Sequence, residues 1–246
     1  MPGLECSGGG LSRVVRAVED VGMSVREPGA RTRSILRGVV AVTFFWALGS
    51  ASAQEVFTPT RDPVAGARLF EGKGCVQCHA IKGVGGKDAP DLGHLERARS
   101  FYDLTASMWN HLPQMAKRIR ASRADRPYLT SNEMSDLMAL LYGPGSSDED
   151  VRRESGDPMR GEQLVAAKGC LDCHSLSPPK GKAAKSLNWL KGVDSPWAVM
   201  ATMWNHSFLM ALASEDQKTA WPRLSADEMA DLVAFLRAHA YGGRGH

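Results

Sequence analysis

Lys73-Gly74-Cys75-Val76-Gln77-Cys78-His79 returns 95 residues later as Lys168-Gly169-Cys170-Leu171-Asp172-Cys173-His174. The offset holds without a gap from Asp62 to about Leu141 and from Asp157 to about Leu236, with roughly a third of the positions identical. Met108-Trp109-Asn110-His111 falls on Met203-Trp204-Asn205-His206, Met115 on Met210 and Pro127 on Pro222. A duplicated unit explains such a match, because independent sequences do not keep register over that length.

Within each unit the local signals are helical. Asp62 before Pro63, and Asp157 before Pro158, read as an N-cap with proline at the first helical position. A middle helix is expected from about Tyr102 to Asn110, with a bend at Pro113 and a further helical segment beyond it. Thr130 with Glu133, and Ser225 with Glu228, fit capping boxes, and Leu129 with Met134 fits a hydrophobic staple. Met229 repeats Met134 in the second unit. Leu137, Leu140 and Leu141, like Leu232, Phe235 and Leu236, then recur at helical spacing and are expected to face a core. No segment reads as a strand. The expected fold is all-α, two small tandem helical domains at 57–143 and 157–241, joined by a charged, Gly- and Ser-rich linker at 144–156.

The first 53 residues read as a targeting segment: Arg31, Arg33 and Arg37 flank an apolar run from Gly38 to Gly49, followed by Ala51-Ser52-Ala53 as a small-residue cleavage site. A run of about a dozen residues is short for a bilayer, which favours removal over retention as an anchor. The expected mature chain begins at Gln54 and lies in the periplasm. Translation is expected to start at Met23, which would eliminate Cys6. The whole chain carries 30 Lys and Arg against 27 Asp and Glu. Loss of residues 1–53 removes six arginines and four acidic residues and leaves near neutrality. Such a balance gives no sign of a nucleic-acid footprint and does not identify a partner.

All four cysteines after Cys6 belong to the two Cys-x-x-Cys-His motifs. Two thiols on one helical turn can form thioethers with the two vinyl groups of one haem, and the next residue, His79 or His174, is placed to ligate the iron from one face. Zinc would need two more ligands per unit, and His111 with His206 supplies one. A dithiol oxidoreductase would bring a βαβ pattern, which is absent. The expected cofactors are therefore two haem c groups, attached through Cys75, Cys78, Cys170 and Cys173. Each haem would also fill the limited apolar core of a domain of about ninety residues.

Gly-x-x-Leu-Phe before the first motif, Ala89-Pro90-Asp91-Leu92 after it, and the closing Leu-Thr-x-x-Glu helix resemble class I cytochromes c over nearly all of the expected mature chain. The Met-Trp-Asn-His signature is similar to that of a group of bacterial periplasmic cytochromes. The resemblance implies electron transfer between respiratory or dehydrogenase partners. Two departures stand out. The family's distal ligand is a Met before a Pro in the loop leading to the last helix, where this chain has Arg126-Pro127 and Trp221-Pro222. The family's Pro carbonyl orients the proximal His, yet Lys185-Ser186-Leu187 replaces Pro90-Asp91-Leu92 in the second unit.

Three pairs shared by both units are candidates for the distal position: Met115 with Met210, His111 with His206, and Met108 with Met203. The spacing i, i+3, i+7 would set them on one helix face. Met115 and Met210 are the expected ligands, beyond the bend, with His111 and His206 the alternative. Trp109 and Trp204 are expected to pack on haem, and Asn110 and Asn205 to cap a helix or bond a ligand. His94, His239 and His246 have no partner in the other unit and are read as surface or tail residues. Lys180, Lys182 and Lys185 read as a solvated loop, or as a dock for an acidic partner. The expected activity is that of a periplasmic dihaem electron carrier whose partners are a dehydrogenase, an oxidase or another cytochrome, with membrane association only if the targeting segment is retained. The alternatives are a dihaem enzyme of peroxidase or thiosulfate dehydrogenase type with one open or unusual haem, and a dedicated electron-accepting subunit of a dehydrogenase.

Overall fold

The computed structural model describes residues 61–94, 100–142, 155–176, 186, 187, 190 and 192–242. The targeting segment, most of the expected linker and the Lys180–Lys185 stretch lie outside them. Seven α-helices are present among the described residues: α1 Pro63–Gly72, α2 Phe101–Ser122, α3 Ser131–Tyr142, α4 Pro158–Ala167, α5 Cys170–Cys173, α6 Pro196–Asp216 and α7 Ala226–Gly242. The expectation of no strands is corrected by a hairpin of two-residue strands, β1 Ala80–Ile81 and β2 Val84–Gly85, paired antiparallel with Ala80 opposite Gly85. It is too short to carry a period-2 pattern. Among the described residues, no helix is long and apolar enough to cross a membrane.

The expected caps form. Asp62 accepts from the Val64 amide at 2.8 Å and Asp157 from the Met159 amide at 2.8 Å. Both capping boxes close in each direction: Thr130 N–H donates to Glu133 and Glu133 N–H to Thr130, and Ser225 and Glu228 do the same. Leu129 and Met134 are both buried under the start of α3.

α1 crosses α3, and α4 crosses α7, at closest approach through a glycine. A Cβ on Gly66 would stand 2.2 Å from the Asp136 carbonyl oxygen, and one on Gly161 would stand 2.1 Å from that of Asp231. Only the absence of a side chain lets the backbones meet. The crossing is tied by buried carboxylates, Asp136 accepting from the Asp62 amide and Asp231 from the Asp157 amide, with Arg160 added to Asp231.

The bend expected at Pro113 is not there: α2 runs unbroken for 22 residues with Pro113 inside it. Proline has no N–H for the carbonyl four residues back, here that of Trp109. That carbonyl accepts instead from the indole Nε1 of Trp221, at 3.1 Å, from the other end of the chain. At the matching position of α6 stands Phe208, and Ser207 Oγ donates to the Trp204 carbonyl.

The two halves are packed on each other, α2 against α6 and α7, and α3 against α6. Buried apolar residues of both halves form one continuous core.

Candidate haem sites

α1 ends at Gly72, and Gly74 with φ +80° turns the chain in the left-handed region; Gly169 does so with φ +73°. L-residues with a Cβ avoid that conformation, so glycine fits the step from helix to cysteine turn. Cys75–Gln77 then form a 3-10 turn and Cys170–Cys173 a short helix, which holds each pair of thiols on one turn. His79 and His174, the next residues out, are buried. His79 Nδ1 lies 2.9 Å from the Pro90 carbonyl oxygen, the orienting contact that the resemblance implies. In the second half Ser186 Oγ donates to the Ser175 carbonyl instead.

Opposite each proximal histidine runs a long helix. Ser100 caps α2 through the Asp103 amide and Ser195 caps α6 through the Ala198 amide, which fixes their rotation. Met108, His111 and Met115 all line an apolar cavity with His79 and Cys75, and Met203, His206 and Met210 line one with His174 and Cys170. The single face expected from i, i+3, i+7 spacing is present on both helices. The His79 and His111 ring centroids are 6.3 Å apart with their planes at 70°, and those of His174 and His206 are 5.9 Å apart at 68°. Burial, then the facing His79, lowers the His111 pKa below its ordinary 6.5, against an upward pull from Gln114. The imidazole is thus biased toward the neutral form that can ligate metal. Burial pushes the Cys75 thiol up to about 11 and raises Cys170 in the same direction. Both cysteines therefore sit in apolar surroundings as neutral thiols.

The first cavity continues outward into a more polar chamber bounded by Cys78, Gln114, Arg118 and Arg123. Arg118 has Ala213 at the matching position of the second half, so the outer rims differ.

An apolar slot with one cysteine of each pair on its wall, the second cysteine on the same turn, and two imidazoles lining it suits a flat, apolar group bound covalently at its rim and by nitrogen at its centre. Haem c has that chemistry. Residues 63–143 match the cytochrome c family model. The matched stretch runs from α1 through the Cys75–His79 motif to the end of α3, so the first half carries a cytochrome c domain. Such a domain binds haem c and supports haem-based electron transfer. No curated protein and no solved structure matches the chain.

The structure adds to one assignment made from sequence and corrects another. Trp109 and Trp204 do line cavities, but each lines that of the opposite half: Trp109 borders the His174 cavity and Trp204 the cytochrome c domain's His79 cavity. Asn110 and Asn205 do not cap a helix. Asn110 pairs with both backbone groups of Leu224, and Asn205 with both of Leu129. Arg126 and Trp221, at the positions of the family's missing Met, make contacts that no local sequence pattern signals. The Arg126 guanidinium lies 5.9 Å from the Phe208 ring centre, and the Trp221 ring lies 4.6 Å from that of Trp109. Both contacts reach across the halves. His239 lies along α7 with its ring 4.7 Å from that of Phe235, while the side chains of His94 and His246 lie outside the described residues.

Proposed function

We propose that the chain is a periplasmic two-haem electron-transfer protein, with a second domain of the same kind at 157–241. In this proposal His79 and His111 hold one iron, and His174 and His206 hold the other. The observation that carries it is the ring spacing of 6.3 and 5.9 Å across two cavities that each begin at a Cys-x-x-Cys-His turn. A first-row metal ion lies about 2.0 Å from an imidazole nitrogen, with the ring centroid about 1 Å behind, so two rings facing across one iron stand about 6 Å apart. The spacing favours the histidine pair over Met115 and Met210, which then serve as cavity walls.

Bound haem supplies one-electron chemistry at iron. The chain's own contribution is to bury the group, orient His79 through Pro90 and present a neutral His111. Histidine on both faces leaves no open coordination position, which favours a carrier over a peroxidase-type enzyme. It also sets lower potentials than His/Met ligation would. The near-neutral charge of the expected mature chain leaves the redox partner to be found by its chemistry: another haem protein, or a dehydrogenase that releases single electrons.

The test is mass and electron paramagnetic resonance of the periplasmically expressed protein. The expected result is two covalent haems, both low-spin, with His111→Ala and His206→Ala each turning one haem high-spin, while Met115→Leu and Met210→Leu leave both low-spin. High-spin conversion by the methionine variants alone would reverse the ligand assignment.

A further inference from the structure

The Met-Trp-Asn-His segments do two things at once. His111 faces its own cavity from α2, while the two residues before it leave for the other half. The Trp109 indole donates to the Pro222 carbonyl at 2.7 Å, and Asn110 both donates to the Leu224 carbonyl at 2.7 Å and accepts from the Leu224 amide at 2.9 Å. Ninety-five residues on, the same bonds run the other way: Trp204 donates to the Pro127 carbonyl at 2.9 Å, and Asn205 pairs with both backbone groups of Leu129 at 2.7 and 2.9 Å. The acceptors Pro127–Leu129 and Pro222–Leu224 lie in the loop leading to the last helix of each half, where class I cytochromes would carry the distal methionine.

The reciprocal bonds place a buried indole at the wall of the opposite cavity. Trp204 borders the space between His79 and His111 together with Pro127 and Leu129, and Trp109 borders the space between His174 and His206 together with Pro222 and Leu224. Trp109 and Trp204 are both buried. The loop freed of an iron ligand is held by the partner half's asparagine, so its position relative to its own cavity is set from across the interface.

We propose that each haem site is completed in trans: Trp204 and Asn205 shape the pocket of the haem on Cys75 and Cys78, and Trp109 and Asn110 that of the haem on Cys170 and Cys173. This rests on the two-haem proposal above. Burial, dielectric and the polarity of the pocket wall tune a haem iron. A change at Trp109 therefore registers at the second haem, although Trp109 is two residues from the first haem's own distal histidine. The arrangement also gives electrons a short covalent and hydrogen-bonded route between the sites, from His111 through Trp109 to the wall of the second pocket.

The experiment uses the full-length, haem-loaded protein. Mass spectrometry first counts haems. Proton NMR of the oxidised protein then assigns each set of haem methyl signals through its thioether cysteines, and spectra are compared for Trp109→Phe, Trp109→Leu, Trp204→Phe and Trp204→Leu. The expected result is a larger shift at the trans haem than at the cis haem for every variant, Leu exceeding Phe, with the midpoint potential of the trans haem moving in step. Phe keeps an aromatic wall and protects the fold, so its result stands if Leu does not accumulate. Two haems with shifts confined to the cis haem, or equal at both, overturn this inference and leave the two-haem proposal intact. Fewer than two haems overturns both.

Discussion

Gly66 and Gly161 are the positions at which a single added carbon does most damage. A methyl at Gly66 would overlap the Asp136 carbonyl oxygen at 2.2 Å and the Leu140 Cβ at 2.9 Å, and neither is the free end of a flexible side chain. The helices would have to separate, pulling the Asp62 amide from Asp136 as well. Gly66→Ala is therefore expected to destabilise the haem-loaded protein by about 2–3 kcal/mol, the scale of an overpacked core. Urea unfolding measures it, and Gly72→Ala, whose added Cβ meets nothing within 4 Å, is the control. A loss equal to that of the control would show that the crossing relaxes. Residues of this sort, like the caps and the cysteine turns, are visible from sequence because their partners lie close by or recur at a fixed offset. Trp109, Asn110, Arg126 and Trp221 are harder to read. Their contacts join positions 82 to 114 residues apart, and side chains that look alike in two repeats can point across rather than inward.

α2 carries a proline in its middle and remains one helix, which helix propensity alone opposes by about 3 kcal/mol. The missing backbone donor is replaced by the Trp221 indole, so the element's integrity depends on the other half of the chain. Helical spacing puts Met108, His111 and Met115 on one face, but Pro113 argues for a bend, because a rescue by a distant indole leaves no trace in the local pattern. This makes a coupling measurable. Trp221→Phe is expected to cost about 1–3 kcal/mol while Pro113 is present, since the Trp109 carbonyl then loses its donor within the interface. In a Pro113→Ala background the same substitution is expected to cost less, because the restored backbone N–H can serve that carbonyl. Denaturant unfolding of the four proteins gives the interaction energy, and strict additivity would show that the indole bond contributes only through ring packing against Trp109.

At the scale of the molecule, the repeat suggests two small tandem domains joined by a linker, and in the structure the two halves of the chain share one core. The 95-residue offset is legible in the sequence, while the way the two halves meet is not, since it depends on which faces of α2 and α6 are left after each covers its own cavity. The reciprocal asparagine pairs fix that relation: each satisfies two backbone groups of the opposite loop, and each leaves a buried or half-buried N–H and C=O unpaired when removed. A loss of about 1–3 kcal/mol per unsatisfied backbone group makes the two pairs large beside the stability of a small domain. The haem-loaded protein is therefore expected to unfold in one cooperative transition, with calorimetric and van't Hoff enthalpies equal and haem absorption changing in the same step. Asn110→Ala combined with Asn205→Ala is expected to divide that transition in two, the halves melting separately. A double variant that still melted in one step would place the coupling in the shared apolar contacts of α2 with α6 and α7 instead, and would predict that Phe208→Ala, which removes a buried ring next to Trp204, separates the halves where the asparagine pairs do not.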